Sequence, residues 1–349
     1  MALQFERMKL PPAGTMGGVS FHASDVTNTP GGPQVLLFGG QRQGLSGDLW
    51  LYEPTGDGWT QQFSQGAAPS ERTQASLTAM GAAEGAKMIL FGGYVLNTGE
   101  VNEAWSLEMV EGASLPVPSW TLLECDGEAP AARYGHSGTC LGGRLMVFGG
   151  QDKNAQFNDV WILDPASCAW SCIAAVDEVP MVPRSRHTAT AVGADKAVII
   201  GGFHRQKRAL DDMWTLTIGD DGTLVTEEIS PETESDATFE ARAQHGAVAA
   251  DGRHVMIFGG YDGAKNLNDL WVLNLETTAM KQVKCAAPPE PRSRLTMHML
   301  GHTLHVFGGY DGWKAHAGDV FTAEVEDAAA LFSQAAPAAT GAESPARSG

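Results

Sequence analysis

The chain has 349 residues, 43% of them hydrophobic and 42 of them glycine, and its 23 lysines and arginines against 41 aspartates and glutamates give a formal net charge of −18. That charge repels a phosphate backbone, so nucleic acid and anionic membranes are poor partners and a protein surface is the easier one. No stretch approaches the ~20 apolar residues of a membrane span, and MALQFERMKLPPAG has no apolar core of a secretory signal; a soluble, cytoplasmic monomer is expected, the nucleus remaining open.

In chain order, Leu3 to Leu10 (LQFERMKL) reads as a strand, followed by Pro11-Pro12. Six short apolar runs then end in paired glycines: Gly39-Gly40, Gly92-Gly93, Gly149-Gly150, Gly201-Gly202, Gly259-Gly260 and Gly308-Gly309, at intervals of 49 to 58 residues. Each is followed by an acidic, apolar, aromatic triplet: Asp48-Leu49-Trp50, Glu103-Ala104-Trp105, Asp159-Val160-Trp161, Asp212-Met213-Trp214, Asp269-Leu270-Trp271 and Asp319-Val320-Phe321. Recurrence at this period is the signature of a repeat architecture. Each copy reads as four short strands with a buried β-branched run second and an aromatic strand third. The glycines suit positive φ or a close backbone approach. One such sheet cannot cover both its faces, so the sheets stack, with the repeated tryptophan as filler.

After Phe321 no fourth strand follows, only FTAEVEDAAALF and an Ala, Pro and Ser-rich tail. The N-terminal strand is expected to supply it and close the ring. The expected organisation is one all-β domain, a six-bladed propeller over 1–326: closing strand of blade six 1–11, then blades at 12–65, 66–126, 127–178, 179–233, 234–285 and 286–326. A disordered tail would cover 327–349. Five scattered cysteines (Cys125, Cys140, Cys168, Cys172, Cys285) form no CxxC pair and read as reduced thiols of an intracellular protein. On one strand Cys168 and Cys172 would lie roughly 13 Å apart.

Di-glycine after an apolar run, the spaced tryptophan and the repeat near 50 residues resemble the kelch motif over about residues 1 to 326. The resemblance implies a propeller with ligand contacts on one face, and an adaptor or scaffold role such as substrate receptor, actin-associated protein or small-GTPase effector. Nothing in the chain resembles a BTB, BACK or F-box module.

A second feature precedes each expected inner strand: Arg72, Arg133, Arg184, Arg242 and Arg292, three of them leading to His136, His187 and His245. The first copy has Gly14 and Gly17 at the corresponding places. A ring of arginines would converge on one face, where guanidinium forks suit the carboxylates of an acidic partner segment, as they do in kelch adaptors. The alternative is that a feature present in every blade maintains the blade. The histidines read as inner-strand residues, since three blades would not bring them to one metal.

The turns after Gly-Gly carry Arg42, Tyr94, His204, Tyr261, Tyr310 and Trp313, either as interface anchors or, for Tyr-Asp-Gly, as turn chemistry. In TEEISPETESDATFEAR, Ser230-Pro231-Glu232 reads as a helix start that would align Glu232, Asp236 and Glu240. That spacing is similar to the iron motif of the plant specifier proteins, with Glu240 where they have histidine; a solvated acidic loop is the alternative. The expectation is a protein-binding platform without cofactor or catalysis. A metal-dependent lyase or a sugar mutarotase stands as the alternative, although no GxSxG, HExxH or phosphate loop is present.

Overall fold

The computed structural model describes residues 2–8, 19–41, 44–56, 58–81, 83, 87–110, 117–174, 178–219, 221–234, 237–313 and 319–333. Within them lie thirty strands and one short helix, Ala328–Ser333. Five antiparallel sheets have four strands, and a sixth adds Glu232–Thr233 in parallel to four antiparallel strands, with a three-stranded and a two-stranded sheet beside them. No described helix is long and apolar enough to cross a membrane.

One sheet shows how the repeat folds. Ser137–Leu141, Arg144–Phe148, Val160–Asp164 and Ala169–Ala174 pair in that order. Gly142 and Gly143 both take positive φ between the first two strands, as a tight two-residue hairpin turn requires. Leu145, Met146, Val147 and Phe148 of the second strand are fully buried, because a neighbouring sheet covers each face.

Six apolar clusters lie between facing sheets. Phe148 and Ile162 meet Ile199 and Leu216 in one, and Phe307 and Val320 of the last sheet meet Val35, Leu37 and Tyr52 of the first in another. The sheet of Ser293–Leu300, Thr303–Tyr310 and Val320–Glu324 takes its fourth strand from the N-terminus, where Glu6 pairs with Thr322 and Arg7 with Phe321. Lys9 to Pro12 lie outside the described residues. The helix Ala328–Ser333 buries Ala328 and Leu331 against this end of the core, so the expected disordered tail does not begin at 327; residues 334–349 fall outside the described set.

The five repeat arginines are not a surface. Arg72, Arg133, Arg184, Arg242 and Arg292 are at most 1% exposed and serve the scaffold. Arg133 donates from Nε to the Ala131 carbonyl and from Nη1 to the Gly149 carbonyl, and it grips Asp159 with both terminal nitrogens at 2.7 and 2.8 Å. Asp159 also accepts the indole N–H of Trp161 at 2.8 Å. Arg184 with Asp212 and Trp214, and Arg242 with Asp269 and Trp271, repeat this arrangement; Arg72 uses Glu103 and Trp105. A buried guanidinium is tolerated only when paired and fully hydrogen-bonded, and this constellation does both.

The sixth copy departs. Phe321 has no N–H to offer, Asp319 is taken by Arg7 of the N-terminal strand, and Arg292 turns to Glu290. In the first copy the antiparallel bridge of Ser20 to Gln41 matches that of Thr73 to Tyr94. The arginine position there is Val19 and the histidine position His22, not Gly14 and Gly17, which lie outside the described residues.

The paired glycines follow from the same joint. A Cβ on Gly92, Gly149 or Gly201 would sit 2.5 to 2.8 Å from the carbonyl oxygen of the next repeat arginine, while the N–H of the second glycine donates to that oxygen. All six glycines concerned take positive φ.

Two further expectations are corrected. Thr226 lies in the strand Leu224–Ile229, and Glu232–Thr233 is a strand pairing with Ala279 and Met280, so no helix aligns Glu232 with Glu240. Glu240 reaches Lys265, and Asp236 lies outside the described residues. Cys125 and Cys168 are joined in a disulfide; Cys140, Cys172 and Cys285 are free.

Arg133→Ala should destabilise the fold by about 3–5 kcal/mol, because Asp159 is left buried without its counter-charge. Urea unfolding of the variant beside wild type measures this; a loss under ~1 kcal/mol would show that the joint is not what holds the sheet.

Candidate functional site

Two residues beyond each repeat arginine the backbone turns into the left-handed region. Phe21, Gln74, Gly135, Arg186, Gln244 and Arg294 have φ between 55° and 65°. Non-glycine residues adopt this conformation only where the surroundings hold them in it. Here a cycle of main-chain hydrogen bonds does so: Gln74 N–H to Phe21 O, Gly135 to Gln74, Arg186 to Gly135, Gln244 to Arg186, Arg294 to Gln244, and Phe21 back to Arg294, at 2.6 to 3.4 Å.

These residues rim a central pocket of about 200 Å³ whose deeper wall includes His22, His136, His187, His245, Thr188 and Thr296. Two of the rim side chains are cationic. Arg186 donates from Nε to Gln74 Oε1 at 3.0 Å and lies 5.9 Å from the ring centres of both Phe21 and Phe203. Arg294 donates to Gln244 Oε1 at 3.3 Å and stacks 4.4 Å over Phe21 and 4.6 Å over Tyr310. Gly135 makes room for this, since a Cβ there would stand 3.3 Å from Arg186 Cγ.

Among the described residues no carboxylate forms an ion pair with Arg186 or Arg294. Burial presses both guanidinium pKa values below the usual, Arg294 adding to the effect on Arg186. Such a rim favours an anion that brings its own hydrogen-bond acceptors.

The residues singled out in the turns fare differently. Tyr310 touches the rim through Arg294, and its hydroxyl, like that of Tyr261, caps a glycine carbonyl within its own turn, at Gly312 and Gly263. That contact is the turn chemistry of Tyr-Asp-Gly. Tyr94 packs edge-on against Tyr134 at 5.8 Å. His204 accepts from the Gln206 and Lys207 amides, so its imidazole serves its turn. Trp313 is 94% exposed with only its backbone fixed, by Asp311. Arg42 lies outside the described residues.

Sequence reasoning missed Phe21, Gln74, Arg186, Gln244 and Arg294. The position two after the repeat arginine changes between successive copies, but so does the one just after it (Thr73, Tyr134, Ser185, Ala243, Ser293), so variation alone does not mark the rim.

The histidines fasten neighbouring sheets. His22 Nε2 meets Thr296 Oγ1, His136 meets Ser76, His187 meets Ser137 and His245 meets Thr188, at 2.9 to 3.0 Å. No group of three His, Cys, Asp or Glu among the described residues could hold a metal ion.

The model of the KLHDC2/KLHL20/DRC7 Kelch-repeats domain matches residues 25–221 and 222–349. The chain belongs to the kelch-repeat family. Acyl-CoA-binding domain-containing protein 5 of Arabidopsis thaliana is 30% identical over 80% of this chain, and human Kelch domain-containing protein 10 is 27% identical over 70%. The chain spans 43% and 53% of those two proteins. The solved structure of YjhT superposes with a TM-score of 0.68 at 17% identity, over 91% of this chain and 98% of that one, a likeness of fold. The rim side chains differ from one sheet to the next.

Burial holds the pKa of His22 down at about 4 and those of His136, His245 and His298 at about 3, with His187 also well below its ordinary value; neighbouring arginines add to this at His136, His187 and His245. The folded state thus binds these protons less readily than the unfolded chain, whose histidines titrate near 6.5. Their contribution is complete above about pH 6.5 and is lost as pH falls towards 4. Asp25, which burial raises to about 6, opposes this as a single group. Melting temperature should fall steadily from pH 7 to pH 4.5, and His187→Gln should flatten the decline; a flat wild-type profile would contradict the assignment.

Proposed function

We propose that the six sheets form a six-bladed ring closed by the N-terminal strand, with the blade limits given above, and that the ring is a platform for a protein partner rather than a catalyst. The cyclic hydrogen bonds through Phe21 and Arg294, the cluster joining last sheet to first, and the pairing of Glu6–Arg7 support the ring. Kelch membership supports an interaction role in general terms. Work as a cytoplasmic monomer belongs to the same proposal.

One observation carries the binding reading. In a chain of net charge −18, Arg186 and Arg294 face the central pocket without a carboxylate partner among the described residues. An acidic segment of a partner supplies that charge, seated against Phe21 and Tyr310 and held by Gln74 and Gln244. Trp313 and Tyr261, exposed in the turns after the paired glycines, are the apolar anchors beyond the rim. Arg186 and Arg294 take the role that the sequence assigned to the five buried arginines.

A fluorescent peptide pool rich in Asp and Glu should bind at least about tenfold more tightly to wild type than to Arg186→Gln/Arg294→Gln, in line with charged hydrogen bonds of roughly 1.5–3 kcal/mol each. A matched pool with Asn and Gln should bind both proteins alike. Equal binding of the two pools by wild type would sink the reading, and a drop in melting temperature along with affinity would return both arginines to the scaffold.

A further inference from the structure

Each outermost strand can be flanked by the segment leaving the preceding sheet. Asp126 bridges Ala169 in parallel, Glu232 pairs in parallel with Ala279, and Ala286 pairs with Gln4. The register thus recurs at three seams. One residue earlier it sets Cys285 beside Leu3 and Cys125 beside Cys168. The Cα atoms of Cys125 and Cys168 are 4.8 Å apart, inside the roughly 4.4–6.8 Å that a disulfide accepts, and their sulfurs are bonded. Juxtaposition is therefore a property of the seam before it is a property of the bond.

The two seams with cysteine differ chemically. At the last one Leu3 brings no thiol, so Cys285, half-buried like the other two, has no sulfur to bond, and its thiol is pushed up to about 12 mainly by burial. Such a thiol stays protonated and inert. Cys125 and Cys168 sit only half-buried at the outer edge of the molecule, within reach of a small reagent.

We infer that Cys125 and Cys168 are a reversible oxidation site, closed by a low-molecular-weight disulfide and opened by the corresponding thiol. In closing, one protein thiolate attacks the small disulfide and expels a small thiolate. The second protein thiolate then attacks the mixed disulfide and expels the other. Two protein thiols are oxidised, one small disulfide becomes two thiols, and the two protons pass to the leaving sulfurs. The bond spans a sequence separation of 43 residues and fixes the start of the segment that runs to Tyr134 and Gly135 at the pocket rim. Closing the loop restricts the unfolded chain, so the oxidised form is the more stable.

The full chain, equilibrated with excess oxidised glutathione, alkylated under denaturing conditions and digested without reductant, should yield a linked Cys125–Cys168 peptide, with Cys140, Cys172 and Cys285 outside it, each alkylated or carrying glutathione. Excess reduced glutathione on the folded protein should convert both residues to alkylated thiols and lower the melting temperature by several degrees. Cys125→Ser should melt alike in both buffers; should that variant not fold, the two wild-type measurements decide. Both thiols alkylated after oxidation, a link to Cys172 instead, or a bond that survives excess reduced glutathione would each overturn the inference.

Discussion

The buried guanidinium of the repeat arginine is the element on which the rest of the structure depends. Arg133 is wholly enclosed, and an ion removed from water is sustained only by near-complete hydrogen bonding and an opposite charge. Asp159, the Gly149 carbonyl and the Ala131 carbonyl provide both, and the Trp161 indole satisfies the remaining face of the carboxylate. Three separate sequence signals thereby become parts of one joint. The acidic residue is there for the arginine, the tryptophan N–H for the acidic residue, and the glycines for a backbone approach that no Cβ allows.

That joint also decides where variation is permitted. The arginine carbonyl is held by the second glycine of the preceding sheet, and two residues on, the chain enters the hydrogen-bonded cycle in a left-handed conformation. The backbone at that point is fully committed, whereas its side chain lines the pocket, where Arg186 and Arg294 each bond the glutamine of another rim position. A set of glutamines, arginines, a phenylalanine and a glycine occupies the equivalent places. Gly135 illustrates the consequence, because its missing side chain leaves the space across which Arg186 reaches Gln74.

The sixth copy shows the same logic under strain. With Phe321 in place of tryptophan, the carboxylate of Asp319 has no indole to hold it and engages Arg7 instead. The charge that stabilises one sheet internally elsewhere is used here to attach the N-terminal strand. Arg292 keeps its carbonyl contacts with Glu290 and Gly308 but has a more exposed carboxylate, Glu290.

The repeat, the four-strand unit, the buried second strand and an N-terminal strand for the last sheet were legible in the amino-acid sequence, because periodic apolar runs, paired glycines and spaced tryptophans are local and recur. Local chemistry misled at Ser230-Pro231-Glu232, where pairing with Ala279 and Met280 outweighs a capping signal. Function was less legible. Arg184 and Arg186 are the same residue type two positions apart, yet one is sealed against Asp212 and the other looks into the pocket. Cys125 and Cys168 are far apart in sequence and adjacent across a seam. The sequence by itself determined the repeating unit. Which arginines are sealed in the scaffold, which line the pocket and which thiols meet was decided by the tertiary structure alone, since burial, charge pairing and sulfur contact arise between sheets that the chain visits about 50 residues apart.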